Sequence, residues 1–474
     1  MLLGAKLTAA KLAGAATRAA GRGGGTSLPG RMLLRLQPDA ITQLAGRLPG
    51  GSIVISATNG KTTTAAMASA VLERAGAHLV HNRAGANMAG GVASALLAAA
   101  HRGGHMDGDT GLFEVDEFWL PRVAAALHPR ALLLGNLFRD QLDRYGELDA
   151  IADRWAAVVA AQPRSTRLVL NADDPLVADL GRRGSEPSDP DGAAAGAAGS
   201  DPRMYFGIDD DRLALPEVQH AADSKHCRRC GHAYVYDAAY LGHLGHYHCP
   251  HCGARRPEPR VVARDVRLHG VRAARFALHT PAGAAEVALP LPGLYNVYNA
   301  LGAAALGIAL DVPLDDVVAG LESVAPAFGR AEVVRAGKRE LVLLLVKNPA
   351  GANEVLRTLV LEEGQLDLLG LLNDRTADGH DVSWVWDADF ELVAPRLRSM
   401  TCGGTRAAEL AVRMKYAGAD AGTLAVEHDL ERALDGALAR GDRSRPLYAL
   451  PTYTALLELR ELLVRRGLTS RYWE

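Results

Sequence analysis

The residues Ser56-Ala57-Thr58-Asn59-Gly60-Lys61-Thr62-Thr63-Thr64 follow directly on the apolar run Ser52-Ile53-Val54-Ile55. No other stretch of the 474-residue chain constrains the fold as tightly. A buried strand feeding a Gly-Lys-Thr turn, then a helical pattern over residues 63–75, aims backbone N–H groups at an anion, because the first turn of a helix has donors without intrahelical partners. Lys61 is suited to neutralise β- and γ-phosphates and the Thr62 hydroxyl to hold Mg²⁺. The loop departs from the general phosphate-loop pattern, since Ile55 stands where the first glycine belongs. A Gly-Lys-Thr triplet alone is no more than a β-to-α turn. The preceding strand and the run of hydroxyls argue for a nucleotide site.

Hydrophobic residues make up 48% and charged residues 22% of the chain, the balance of a globular protein with a large core. The formal net charge of -2 provides no general basic field, so nucleic-acid binding is not expected. No apolar run approaches membrane-spanning length, and Lys6 and Lys11 interrupt the apolar run at the N-terminus before it could serve as a signal segment. The expected compartment is the cytoplasm. Residues 1–25 are rich in Ala and Gly and carry Lys6, Lys11, Arg18 and Arg22. They are expected to fray, the other reading being an amphipathic helix that touches a partner or a membrane.

Strand-like runs at 52–56, 131–137 and 167–174 alternate with helical patterns, which predicts a parallel sheet with helices on both faces. Residues 184–200, rich in Gly, Ala, Ser, Asp and Pro, cannot bury a core and are expected to form a mobile loop. A cysteine-bearing segment follows, and a helical pattern resumes over 293–310. The last block again alternates strands (341–346, 366–372, 446–450) with helices, as in a second, smaller Rossmann-like α/β domain. The expected division is an N-terminal segment (1–50), a central ATP-binding domain (51–330) with an insertion at about 203–265, and a C-terminal α/β domain (331–474).

Cys227-Arg-Arg-Cys230 and Cys249-Pro-His-Cys252 are two C-x₂-C knuckles separated by 18 residues, the spacing of a structural zinc ribbon. Four thiolates close a tetrahedral coordination sphere, so Zn²⁺ would hold the insertion together without activating water. A disulfide pair competes poorly in a reducing compartment. His226, His248 and His251 lie beside the cysteines, but four thiolates need no further ligand. The insertion carries Arg228, Arg229, Arg255 and Arg256, yet it interrupts an enzyme-like domain, which favours a structural or partner-docking use over nucleic-acid binding. Cys402 stands alone before Gly403-Gly404 and is expected to be a small buried residue.

Several further segments occur in one order. They include Phe113-Glu114-Val115-Asp116-Glu117-Phe118, the stretch from Gly135 to Gly146, Leu170-Asn171-Ala172-Asp173-Asp174-Pro175, and Gly293-Leu294-Tyr295-Asn296-Val297-Tyr298-Asn299-Ala300. With the phosphate loop they resemble the central ATPase domain of the Mur ligases. Asn348-Pro349-Ala350-Gly351-Ala352-Asn353-Glu354, the stretch from Asn373 to Asp387, and Arg413-Met414-Lys415-Tyr416-Ala417-Gly418 resemble the MurT family, as does a four-cysteine insertion. The resemblance runs from about residue 28 onward.

It implies an ATP-dependent amidation in peptidoglycan biosynthesis. The α-carboxylate of D-glutamate in the lipid II stem peptide would be activated as an acyl phosphate and attacked by ammonia, giving D-isoglutamine. The ammonia would come from a GatD-type glutamine amidotransferase subunit. A lipid-linked substrate implies work at the inner face of the membrane. Asn59, Gly60, Lys61, Thr62 and Thr63 match the family's ATP-binding loop, and Glu114 or Glu117 its magnesium-binding acidic motif. Asn296 and Asn299 match an asparagine pair near the adenine, and Arg330 an arginine on the ribose-and-phosphate side.

Three departures accompany the match. The segment Asp140-Gln141-Leu142-Asp143 lacks a histidine that most Mur ligases have at its second position. No lysine occurs between Lys61 and Lys225, whereas many Mur ligases use a carbamylated lysine there for a second Mg²⁺. About 50 residues precede the loop, too few for the usual nucleotide-sugar-binding domain.

The turn Asp378-Gly379-His380-Asp381, with Trp384, Trp386, Asp387 and Asp389, is the densest polar and aromatic cluster. Asp381 first, and Asp378 second, is expected to face the amidotransferase, whose Cys/His pair benefits from an acidic orienting partner. Otherwise the turn is a strand end with capping aspartates. A free-standing amino-acid ligase of the folylpolyglutamate synthase type is the alternative. It leaves the cysteine knuckles and this aspartate cluster without a role.

Overall fold

The computed structural model describes residues 3–19, 27–82, 86–101, 105–140, 148–182, 201–219, 222–325 and 330–469. The expected loop at 184–200 and residues Gln141 to Asp143 lie outside them.

The first half builds one large sheet. In chain order its strands are β1 (Ser52–Ser56), β2 (Leu79–His81), β3 (Thr110–Glu114), β4 (Ala131–Leu134), β5 (Arg167–Asn171) and β6 (Arg203–Ile208). A separate hairpin, β7 (Val235–Leu241) and β8 (Leu244–His248), intervenes before β9 (Val261–His269), β10 (Ala273–Thr280) and β11 (Gly283–Leu289). The sheet order is β11-β10-β9-β6-β5-β4-β1-β3-β2, parallel from β2 through β9 and antiparallel at β10 and β11. The antiparallel strands β10 and β11, at one end of the sheet, depart from the expected parallel sheet. Their Ala-rich, half-exposed residues lack the continuous apolar run that marks a strand buried on both faces.

Strand β1 shows why the sheet is covered on both sides. Ile53 and Ile55 point to one face and Val54 to the other, following the two-residue period of a strand, and all three are fully buried. The helices Lys61–Arg74 and Leu294–Ala309 cover the first face. The helices Ala89–Ala99, Leu120–Leu127 and Leu148–Ala161 cover the second.

The second sheet consists of β12 (Arg330–Ala336), β13 (Arg339–Leu344), β14 (Leu366–Leu371), β15 (Leu397–Gly403), β16 (Leu424–Glu427) and β17 (Leu447–Pro451), in the order β12-β13-β17-β14-β15-β16. Only β12 runs antiparallel, and helices lie on both faces. Cys402 is wholly buried on β15, where burial pushes its thiol up to about 12. It is a core residue.

The N-terminus does not fray within the described residues. Residues Leu3–Ala19 form a helix whose Leu7 and Ala10 are buried against the chain's own core. Lys11 Nζ donates to the carbonyls of Ala98 and Ala100 at 3.3 and 2.6 Å, at the end of the helix Ala89–Ala99. A cation there complements the negative end of that helix. No helix among the described residues is long and apolar enough to cross a membrane.

Candidate active site

In the large sheet, β1 has β4 on one side and β3 on the other, so the carboxyl ends of β1 and β4 border the crevice where such sheets bind ligands. The loop after β1 and the loop after β4 are stitched together there. Thr58 N donates to Asn136 O at 2.9 Å, Asn59 N to Asn136 Oδ1 at 2.9 Å, and Asn136 Nδ2 to Asn59 O at 3.0 Å. Asn136 thus fixes the loop backbone from three directions. It was quoted within a motif but carried no expected role, because an asparagine after a strand gives no sign of its partner.

Gly60 has a φ of +85° and precedes the helix Lys61–Arg74. A Cβ at this position would lie 1.9 Å from Asn299 Oδ1. Only glycine allows that approach. Asn299 also accepts from Thr64 Oγ1 at 3.2 Å and donates to Asn296 Oδ1 at 3.0 Å, while Asn296 Nδ2 donates to Pro292 O at 2.7 Å. The asparagine pair therefore lies directly behind the loop. Thr63 is buried in the first turn of the helix. Arg330 opens β12, and its side chain lies outside the described atoms.

The acidic motif follows β3. Lys61 Nζ donates to Glu117 Oε2 at 2.8 Å and to the carbonyls of Ala57 and Thr58. Burial alone would lower the Lys61 pKa. The carboxylates of Glu117 and Asp116 outweigh it and hold the ammonium above the ordinary lysine value. Burial would likewise raise Glu117, but Lys61 and then Lys347 hold it low. Asp116 is pushed up by burial and by its neighbour Glu117. Thr62 Oγ1 donates to Glu114 Oε1 at 3.2 Å, so a hydroxyl and a carboxylate stand side by side. Such hard oxygens suit Mg²⁺. Asn82 braces Glu114 at both its N–H and its carbonyl, at 2.9 and 2.8 Å.

The C-terminal domain reaches into this site. At the end of β13, Lys347 pairs with Asp140 and donates to Thr58 O at 3.3 Å. Asn348 caps the helix Pro349–Val360 through Gly351 N and exchanges amide hydrogen bonds with Asn59 at 3.0 and 3.4 Å. In the sequence Asn348 stands within a motif, whereas nothing marks Lys347.

The aspartate cluster divides three ways. Asp378 is buried and accepts from Thr454 N at 2.8 Å and from Thr454 Oγ1, holding the first turn of the helix Tyr453–Arg465. Asp381 is exposed and accepts from Ser383 N at 2.8 Å; hydrogen bonding to Ser383 holds its carboxyl below the usual range. Asp387 and Asp389 face the central domain instead, toward Arg139 at 3.6 Å and Gln219 at 3.1 Å.

The four cysteines converge within the insertion. Their Sγ atoms all lie within 4.8 Å of one another, with Cys227 to Cys252 at 3.6 Å and Cys230 to Cys249 at 3.4 Å, and none is in a disulfide. A tetrahedron of Zn–S bonds of about 2.3 Å has edges of about 3.8 Å, so the four thiols fit that ion. The strands β6 and β9 that flank the insertion belong to the large sheet, so the part lying off the sheet is 209–260. Three of its arginines are spent on acids of the central domain: Arg228 on Asp153, Arg229 on Asp179 at 2.6 Å, and Arg256 on Asp173 at 2.6 Å. The buried Asp173 also accepts from Tyr298 Oη at 2.7 Å and Ile208 N at 2.9 Å.

Residues 55–189 match the model of the Mur ligase middle domain. A pseudomurein peptide ligase type C from Methanothermus fervidus shares the fold, with a TM-score of 0.66 at 22% identity over 90% of this chain and 80% of that one. MurF ligase from Thermotoga maritima in complex with ADP does so with a TM-score of 0.61 at 12% identity over 91% and 84%. The fold and the middle-domain match together define a protein of the Mur ligase fold class.

Residues 345–456 match the model of the MurT ligase C-terminal domain. The MurT subunit of lipid II isoglutaminyl synthase (glutamine-hydrolyzing) from Streptococcus pneumoniae strain R6 is 31% identical over 451 residues, covering 95% of this chain and 94% of the relative. Its counterpart from Staphylococcus aureus strain N315 is 32% identical over 459 residues, or 96% of each. The chain belongs to the MurT family.

Proposed function

We propose that this chain is the synthetase subunit that amidates the α-carboxylate of D-glutamate in lipid II, with ammonia released from glutamine by a GatD-type amidotransferase partner. The nearly full-length match to MurT subunits carries the substrate, and the contact of the Lys347-Asn348 step with the phosphate loop supports a single composite site. A carboxylate is a poor electrophile until one oxygen becomes a leaving group. Transfer of the γ-phosphoryl of ATP supplies that leaving group, and ammonia then displaces phosphate from the acyl carbon.

The residues divide this work. Backbone N–H groups from Gly60 to Thr63 hold the phosphates beside Asn59, whose own N–H is engaged by Asn136, with Lys61 released from Glu117 to bind them. Thr62 and Glu114 hold Mg²⁺, which neutralises phosphate charge when bound. Glu117 serves as the resting partner of Lys61 and a second acidic ligand. Asn296 and Asn299 support the loop from behind, and the family resemblance supports a place for them near the adenine and for Arg330 on the ribose-and-phosphate side. Zn²⁺ on Cys227, Cys230, Cys249 and Cys252 would hold the insertion together, and Arg228, Arg229 and Arg256 tie it to the central domain. We assign 51–330 to the ATP-binding domain and 331–474 to the domain that meets the amidotransferase. Asp381, exposed and ionised, orients the imidazole of the partner's Cys/His pair, with Asp378 stabilising the turn that presents it. The reaction takes place at the inner face of the membrane, where the lipid-linked substrate resides.

The test is the co-purified complex with lipid II and ATP, supplied with glutamine or with ammonium. Asp381→Asn is expected to remove glutamine hydrolysis while leaving ammonium-supported amidation. Unchanged glutamine hydrolysis in both Asp381→Asn and Asp378→Asn would remove the aspartate from the mechanism. Folate-dependent turnover would overturn the whole assignment.

A further inference from the structure

We propose that Lys347 is a catalytic residue, a second cation that the C-terminal domain delivers to the phosphoryl group in transfer. The inference rests on the ATP-site reading above. Lys61 Nζ and Lys347 Nζ each lie 3.3 Å from the same oxygen, the carbonyl of Thr58, so twice that distance bounds their separation. Two ammonium groups converge on one edge of the phosphate loop, one from each domain.

Both are held by carboxylates. Lys61 is paired with Glu117 and Lys347 with Asp140, whose side chain is only 10% exposed. Two like charges this close repel unless anions lie between or beside them. A triphosphate brings that anion. The Lys347 side chain is 30% exposed, so its flexible four-carbon stem has room to exchange Asp140 for a phosphate oxygen. Its charge also helps hold Glu117 ionised, so it belongs to the electrostatic field of the site.

Phosphoryl transfer needs charge neutralisation more than covalent chemistry. The bond from the γ-phosphorus to its bridging oxygen breaks, and the electron pair leaves with ADP. A substrate carboxylate oxygen forms the new bond to phosphorus. No proton moves, and Lys347 remains an ammonium throughout. The two hydrogen bonds between Asn348 and Asn59 hold the carrier strand in register with the loop, which keeps the charge within reach. Because Lys347 belongs to the C-terminal domain, the charge is in place only while that domain is docked on the loop. ATP bound to an undocked molecule is thereby protected from idle cleavage.

The experiment uses the complex with its amidotransferase, lipid II, ATP, and ammonium as the nitrogen source. Lys347→Met is expected to lower kcat by about 10²-fold while ADP affinity stays within about twofold of the parent. Lys347→Arg should recover at least about tenfold of that loss, because the charge is kept. A kcat for Lys347→Met within about threefold of the parent would overturn the proposal. Equal loss in the Met and Arg variants, with ADP affinity falling in parallel, would also overturn it, since that pattern marks a structural spacer. Lys61→Ala in the same assay separates the two levels of inference. If it retains amidation, the ATP-site reading fails; if it alone loses amidation, only the role of Lys347 fails.

Discussion

The carboxyl edges of the two sheets are built from similar parts and used differently. At the large sheet the polar side chains of the site face one another: Lys61 meets Glu117, Thr62 meets Glu114, and Asn299 meets Gly60 and Thr64. At the small sheet they point in separate directions. Lys347 and Asn348 turn to the other domain, Asp378 is used up inside a helix start, and Asp381 is exposed. The first arrangement is that of a preorganised binding site. The second supplies groups that complete sites elsewhere, one in the neighbouring domain and, on our proposal, one in a partner.

Removing Lys61 is the strongest way to break the first arrangement. Lys61→Ala is expected to lower ATP-dependent amidation by about 10³-fold and to leave the zinc content unchanged. It also strands the buried Glu117, at a cost of about 3 kcal/mol in stability. A Lys61→Met, Glu117→Gln double variant should recover the lost Tm but not the activity, which separates catalysis from folding.

Loss of the metal ligand comes next. Cys249→Ser is expected to abolish zinc retention and to open residues 222–260 to proteolysis, as followed by metal analysis and limited digestion. The contrast between the two acidic residues of the motif is finer. Glu114→Gln should raise the Mg²⁺ concentration needed for half-maximal activity by about tenfold, with Glu117→Gln causing a smaller rise. The smallest effect separates the aspartates of the second edge. Asp378→Ala should cost about 1 kcal/mol through the lost helix-start hydrogen bonds, read by denaturant unfolding. Asp381→Asn should leave stability unchanged, because its one described bond is to Ser383 on the surface.

The legible parts of the fold were those with local causes. The strand Ser52–Ser56 and the helix beginning at Lys61 follow from a run of buried residues, a glycine and a change of period. Strands β4 and β5 end several residues before the apolar patterns at 131–137 and 167–174 stop, because Asn136 and Asp173 to Asp174 turn off the sheet to bind loops. The antiparallel strands β10 and β11 were illegible for want of a continuous apolar signature. In the site, Glu114, Glu117 and Asn299, which meet the glycine-lysine motif and its helix, could be named only through the resemblance to the Mur ligases. Lys347 could not, since it is brought to Thr58 by contacts between residues 289 positions apart. Such a meeting is a property of two folded domains, and no local pattern encodes it.

The buried Asp173 has a consequence for cooperativity. It binds Arg256 of the insertion and Tyr298, which lies between Asn296 and Asn299 on the helix behind the loop. The insertion and the helix behind the nucleotide-binding loop therefore share one anionic anchor and should open as a single exchange unit. Metal removal should then increase amide hydrogen exchange in the helix Leu294–Ala309 and weaken ATP binding while leaving strands β1 and β3 protected. Exchange confined to the insertion would mean that the two sites are energetically independent. On the shared-anchor account, loss of a metal ion from the four thiols would weaken nucleotide binding before the fold is lost.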